Sequence, residues 1–259
     1  MHSAGPAADR LHRVELVMGT AISVEITDPL PDDRRRHLAQ EAFDWFQAVD
    51  QRFSTYREDS ELNRLDRGEL RIEDGSTDLR LVFDRCAELW QETDGYFDVQ
   101  ATGRLDPSGF VKGWSAQVAS DRLLAAGAAN HCVNAGGDVR VRGVRRPGEP
   151  WQIGIRHPFA SREVCAVIAG TDLAVASSGS YERGPHVIDP FRGAPATDLV
   201  SVTVVGEDLG SADAYATAAM AMGTRGLDWL DRLAGYEAHA VTADGRSFRT
   251  AGLPTVSTG

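Results

Sequence analysis

Between residues 31 and 53 the chain reads PDDRRRHLAQEAFDWFQAVDQRF, with Leu38, Ala42, Trp45, Phe46, Val49 and Phe53 returning every three or four positions. That spacing keeps one face apolar and predicts a helix. A second stripe of Leu79, Val82, Phe83, Cys86 and Trp90 predicts another over 78–95, ending at Gly95. A third is predicted over 112–127 with Gly127 as its C-terminal cap, and a fourth over the alanine-rich stretch from Asp208 or Ser211 to Gly223. Elsewhere the pattern alternates. VELVMGTAISVEIT (14–27) reads as a strand or hairpin. The second half supplies short strands in HCVNAGGDVRVRG, WQIGIR, EVCAVIAG, LAVASSG and VSVTVVG, and EAHAVTADGRSF reads as a hairpin around Asp244-Gly245.

Helices and strands mix without a βαβ rhythm. The expected fold is therefore a single α+β domain with mixed or antiparallel sheets and packed helices, not a doubly wound sheet. The domain is expected over residues 14–250, between flexible ends at 1–13 and 251–259. No internal repeat and no Pro-, Gly- or Ser-rich linker divides it.

Composition narrows the partners. With 42% hydrophobic residues among 259, a sizeable core is expected. A net charge of −11 argues against nucleic acid or an anionic membrane as the main partner, yet leaves room for a local cationic pocket. The cysteines, Cys86, Cys132 and Cys165, are odd in number and sit in apolar patterns, so free thiols are expected. No stretch is long and apolar enough to span a bilayer, and the first residues contain no apolar leader segment. The expectation from this is a cytoplasmic chain without a membrane segment.

Four polar constellations stand out. Asp213 and Thr217, in SADAYATA, lie one helical turn apart among residues built for packing. They fit a hard-cation site, since Mg²⁺ takes oxygen donors and few protein carboxylates. They equally fit an Asp serving the helix dipole and a Thr bonded back to its own helix. Gly136, Gly137 and Asp138 precede an alternating strand and allow either close ligand approach or a simple turn. Lys112 is expected to open a helix, where a bound anion would offset its conflict with the dipole; a solvated lysine is the alternative. In SSGSYERGPHVIDP, Ser177, Ser178, Tyr181, His186 and Asp189 crowd together without a Gly-x-Ser-x-Gly elbow. His186 fits a proton acceptor, a ligand contact, or a loop histidine bonded to backbone.

In their order along the chain these stretches resemble the ApbE family, flavin transferases that move FMN from FAD to a protein hydroxyl. The resemblance runs from about residue 14 to 224, through MGTAISVEI, RFSTYREDSELNRLD, TDGYFDV, the long block from DPSGFVKGW to NAGGDVRVRG, AVASSGSYERGPHVIDPFRGAPA and SVTVVGEDLGSADAYATAAMAMG. It implies Mg²⁺ held by Asp213, Thr217 and the Gly109 carbonyl against the diphosphate of FAD, the substrate. It places Tyr56, Asp98, Lys112, Gly136, Gly137, Asp138, Ser178 and His186 around the dinucleotide. His186 is the candidate base, and Asp213 the catalytic metal ligand. The implied partner is an acceptor protein with a Thr or Ser in a flavinylation motif, which receives FMN through a phosphoester bond while AMP leaves. The alternatives are an FAD pyrophosphatase and a non-catalytic FAD-binding protein. Departures from the family pattern fall at Gln100, Gln117 and Ser177, and the stretch between Asp98 and Lys112 is shorter than in relatives.

Overall fold

The computed structural model describes residues 10–180, 184 and 186–256. Its first two strands, β1 (Leu11–Val17) and β2 (Thr20–Ile26), form an antiparallel hairpin through Met18 and Gly19. Both turn residues have positive φ (55° and 70°), the geometry that suits a two-residue turn to strand twist. Four helices follow: α1 (Asp32–Phe53), α2 (Glu61–Asp66), α3 (Thr77–Glu92) and α4 (Ser108–Ala125). A second hairpin, β3 (His131–Ala135) and β4 (Asp138–Arg142), turns through Gly136 and Gly137, with φ of 62° and 103°. Then come β5 (Trp151–His157), β6 (Ala160–Gly170), β7 (Asp172–Gly179), β8 (Ile188–Asp189), β9 (Ala194–Pro195) and β10 (Leu199–Gly206). The chain closes with α5 (Leu209–Met222), α6 (Arg225–Asp231), β11 (Glu237–Thr242), β12 (Ser247–Arg249) and β13 (Thr255–Val256).

Eight strands make one antiparallel sheet in the order β1-β2-β3-β4-β7-β10-β11-β12. One face carries the helices and the main core. There Ile22, Val24, Val202 and Val204 meet Phe43, Phe46, Leu209 and Met220, all at most 1% exposed. Burying each such side chain contributes about 1.5–3 kcal/mol. The other face is covered by a small sheet, β13-β6-β5, through Val175 and Val205 against Ile155, Ile168 and Leu253. Strands covered on both faces lose their alternation, so β10 reads as a nearly continuous apolar run. The α+β architecture expected from the sequence is the one observed.

Three expectations shift. The third helix begins at Ser108, not 112, so Lys112 lies in its second turn rather than at its mouth. Asp213 is the fifth residue of α5 and not a first-turn dipole partner; Asp208 caps that helix, accepting from the Ser211 N–H at 2.7 Å. Order also reaches beyond 14–250: β1 starts at Leu11, and Thr255–Val256 pairs with β6. The three cysteines are free, Cys86 buried and the other two half-buried. No helix among the described residues is long and apolar enough to cross a membrane.

The contact that matters most for the site is the crossing of α4 and α5. Glycines make it close. A methyl group at Gly113 would come within 2.4 Å of the Leu209 carbonyl oxygen and 2.8 Å of Asp213 Cβ, and one at Gly210 within 2.8 Å of Phe110. Gln117 ties the same junction, its Oε1 accepting from the Leu209 N–H (3.1 Å) and from Arg140 Nε (3.0 Å).

Candidate functional site

A cleft of about 490 Å³ opens where the Met18-Gly19 turn, the end of α1, the start of α4, the end of β7 and one side of α5 converge. At its base the α4–α5 crossing brings Asp213 against α4. Asp213 is 2% exposed, and its Oδ2 accepts from the Gly113 N–H at 3.0 Å. Its other oxygen lies 3.6 Å from Lys112 Nζ, which also forms an ion pair with Asp138. Asp138 is fully buried behind the wall, where its Oδ1 accepts from the Ser177 N–H at 3.0 Å. Two buried carboxylates thus share one lysine. Burial pushes the Asp213 pKa above its usual range, and Lys112 and the Gly113 N–H oppose that only in part.

Thr217 stands one turn further along α5. Its hydroxyl lies 3.2 Å from Ser178 Oγ, across to β7, and not on its own helix. Gly109 faces it so closely that a methyl there would sit 2.9 Å from Thr217 Oγ1. The set gathered here is one carboxylate, one hydroxyl and helix-start backbone: all hard oxygen donors, beside a carboxylate pair short of one positive charge. That set fits a magnesium ion, which takes few protein carboxylates and leaves further positions to water and phosphate. Among the described residues no cluster of three or more His, Cys, Asp or Glu side chains could hold a metal.

The structure gathers Tyr56, Gly109, Lys112, Gly136, Ser178, His186, Asp213 and Thr217 around the cleft. Asp138 backs it without lining it. Asp98 does not line it; its carboxylate closes a local turn, Oδ1 accepting from the Gln100 N–H at 2.8 Å. Gly137 does not line it either; its N–H donates to Asn134 Oδ1 at 2.9 Å. Gly136 is the half of the pair that packs tightly, since a Cβ there would meet Thr20 Oγ1 at 2.5 Å. Tyr181 lies outside the described residues. Asp189 is buried and closes the β8–β9 turn through the Phe191 N–H. Ser177 lines the cleft with its hydroxyl on Thr203 Oγ1 at 2.8 Å.

His186 is exposed at the rim. Its Nδ1 lies 2.9 Å from the Gly184 carbonyl oxygen. A carbonyl only accepts, so Nδ1 carries a proton, and in the neutral ring Nε2 is the acceptor. The reading of individual residues missed Asp50, Arg57 and Asp106, which also line the cleft. Nothing local marks Arg57 among 26 arginines, but one compositional signal was present: Lys112 is the only lysine in the chain.

Comparison with known proteins bears on the family and the fold. The profile of the ApbE family matches residues 18–103 and 99–240. The FAD:protein FMN transferase of Vibrio cholerae serotype O1 is 39% identical over 129 residues, covering 46% of this chain and 39% of that protein. The FAD:protein FMN transferase of Rhodobacter capsulatus is 35% identical over 158 residues, 57% of this chain and 30% of its own length. The matched stretches therefore span well under two thirds of these curated relatives. The solved structure of the flavin transferase ApbE from Vibrio cholerae superposes with a TM-score of 0.82 at 26% identity, covering 95% of this chain and 98% of that one.

Proposed function

The chain belongs to the ApbE family, and on that footing we propose that it is a Mg²⁺-dependent FAD:protein FMN transferase. The observation that carries the reading is the base of the cleft, where Asp138 and Asp213 are buried on a single lysine beside the Thr217 hydroxyl. A buried carboxylate short of a partner is costly, and a divalent cation brought in with a diphosphate removes the deficit. Asp213, Thr217 and the Gly109 carbonyl would hold that ion. When bound it supplies electrostatic stabilisation of the charge that develops on the phosphoryl oxygens.

The rest is work for the protein's own groups. Lys112 holds Asp213 and Asp138 in register. Gly136 and Gly109 let the Thr20 and Thr217 side chains pack directly against backbone at the edge of the cleft. An acceptor Ser or Thr hydroxyl attacks the phosphorus nearer riboflavin. The new phosphoester bond forms as the bond to the bridging oxygen breaks, and AMP departs with that oxygen. The hydroxyl proton passes to His186 Nε2, the free acceptor at the open rim, where a flexible peptide can reach.

The deciding experiment incubates the protein with FAD, Mg²⁺ and a Thr- or Ser-containing acceptor, following intact acceptor mass and AMP. One FMN added per acceptor, with AMP release dependent on acceptor and lost in Asp213→Ala, is expected. AMP and FMN release at the same rate without acceptor, with no mass gain, would establish hydrolysis in its place.

A further inference from the structure

We propose that Arg57, not Lys112, is the side chain that meets the phosphates of the dinucleotide; this rests on the FAD-binding reading above. Among the described residues lining the cleft, Arg57 and Lys112 carry the full positive charges. Lys112 is already committed. It pairs with Asp138, stands 3.6 Å from Asp213, and is three-quarters covered, so turning it toward a phosphate would strand the fully buried Asp138.

Arg57 has no such obligation. Among the described residues its carboxylate partner is Asp59, 3.6 Å away and 80% exposed. A pair of that kind is worth little, so the guanidinium can turn to a ligand at small cost. It also presents a planar fork of donors that matches phosphate oxygens. Charge balance points the same way. With a divalent cation in place, the cluster of Lys112, Asp138 and Asp213 carries one net positive charge, against two negative charges on a dinucleotide's diphosphate. Arg57 supplies the missing one. Of the cleft's other acids, Asp106 is held at the start of α4, its Oδ1 accepting from the Ser108 N–H at 3.0 Å, where the helix dipole offsets its charge. Asp50, the remaining acid among these, stands near the end of α1.

Titration calorimetry with FAD, with ADP plus Mg²⁺, and with riboflavin tests this on the wild type, Arg57→Gln and Arg57→Lys. In Arg57→Gln, FAD and ADP should bind about tenfold more weakly or worse, with riboflavin unchanged. Arg57→Lys should recover part of the loss, and added salt should weaken ADP binding more in the wild type than in Arg57→Gln. Unchanged FAD and ADP affinity in Arg57→Gln, or an equal loss for riboflavin, would overturn the assignment. A wild-type protein that binds no FAD would instead defeat the proposed function itself, so the two failures are distinct.

Discussion

Gly109 and Thr217 touch across the α4–α5 crossing, with room for a hydrogen on the glycine and nothing larger: a methyl group there would lie 2.9 Å from the Thr217 hydroxyl and 3.3 Å from its methyl. The contact fixes the hydroxyl beside the start of α4. It makes a separation of stability from binding testable.

Gly109→Ala should change stability little, the helix preference of alanine, up to about 1 kcal/mol, being offset by the crowding of its methyl against Thr217 and Phe97. It should nonetheless turn the Thr217 hydroxyl aside and weaken Mg²⁺-dependent FAD binding by about tenfold. Thermal melting and calorimetry on one preparation check both halves; a variant that melts lower and binds normally would show the contact to be only packing.

Lys112 sits where a compact charge with three donors can serve two carboxylates. Lys112→Gln should cost about 2 kcal/mol or more in urea unfolding, because it leaves both acids buried without a counter-charge. The loss falls low in the range for a buried ion pair because Lys112 keeps 24% of its side-chain surface in water. Lys112→Arg should not restore stability, since a planar guanidinium cannot occupy the same corner. Full stability in Lys112→Gln would remove the shared-lysine account.

His131 is fully buried, its Nδ1 bonded to the Ala128 carbonyl at 2.7 Å and its Nε2 to Ser120 Oγ at 2.6 Å. Burial pushes its pKa down from 6.5 to about 4. The unfolded chain therefore takes up the proton first as pH falls. Stability should be unaffected by this group above pH 6.5 and decline as pH drops from there toward 4. Between pH 7 and pH 5 the wild type should lose about 2 kcal/mol more than His131→Asn in urea titrations. Equal losses would mean that the ring is protonated in the fold.

Cys86 is 3% exposed, and burial pushes its thiol pKa up to about 12. Iodoacetamide at pH 8 should leave it unmodified in the native protein and alkylate it in urea, read by peptide mass spectrometry. Rapid alkylation under native conditions would show that α3 opens readily.

Much of this architecture was legible in local patterns. The stripe through α1, the Gly127 and Gly223 stops, the Asp244-Gly245 hairpin and the one-turn spacing of Asp213 and Thr217 depend on neighbours a few positions away, and short-range geometry fixes those. The order of the quoted blocks likewise pointed to the family. Other features could not be read that way. Whether Lys112 faces solvent, phosphate or carboxylates depends on α5 and β4, and the Gly113–Asp213 bond joins residues 100 positions apart. The start of α4 at Ser108, the turning away of Asp98 and the arrival of Arg57 at the cleft were settled by long-range packing. The physical reason is common to all of them. Periodicity records which face of a segment leaves water, whereas the partner of a charge is chosen by whichever distant backbone the packing brings within a few ångströms.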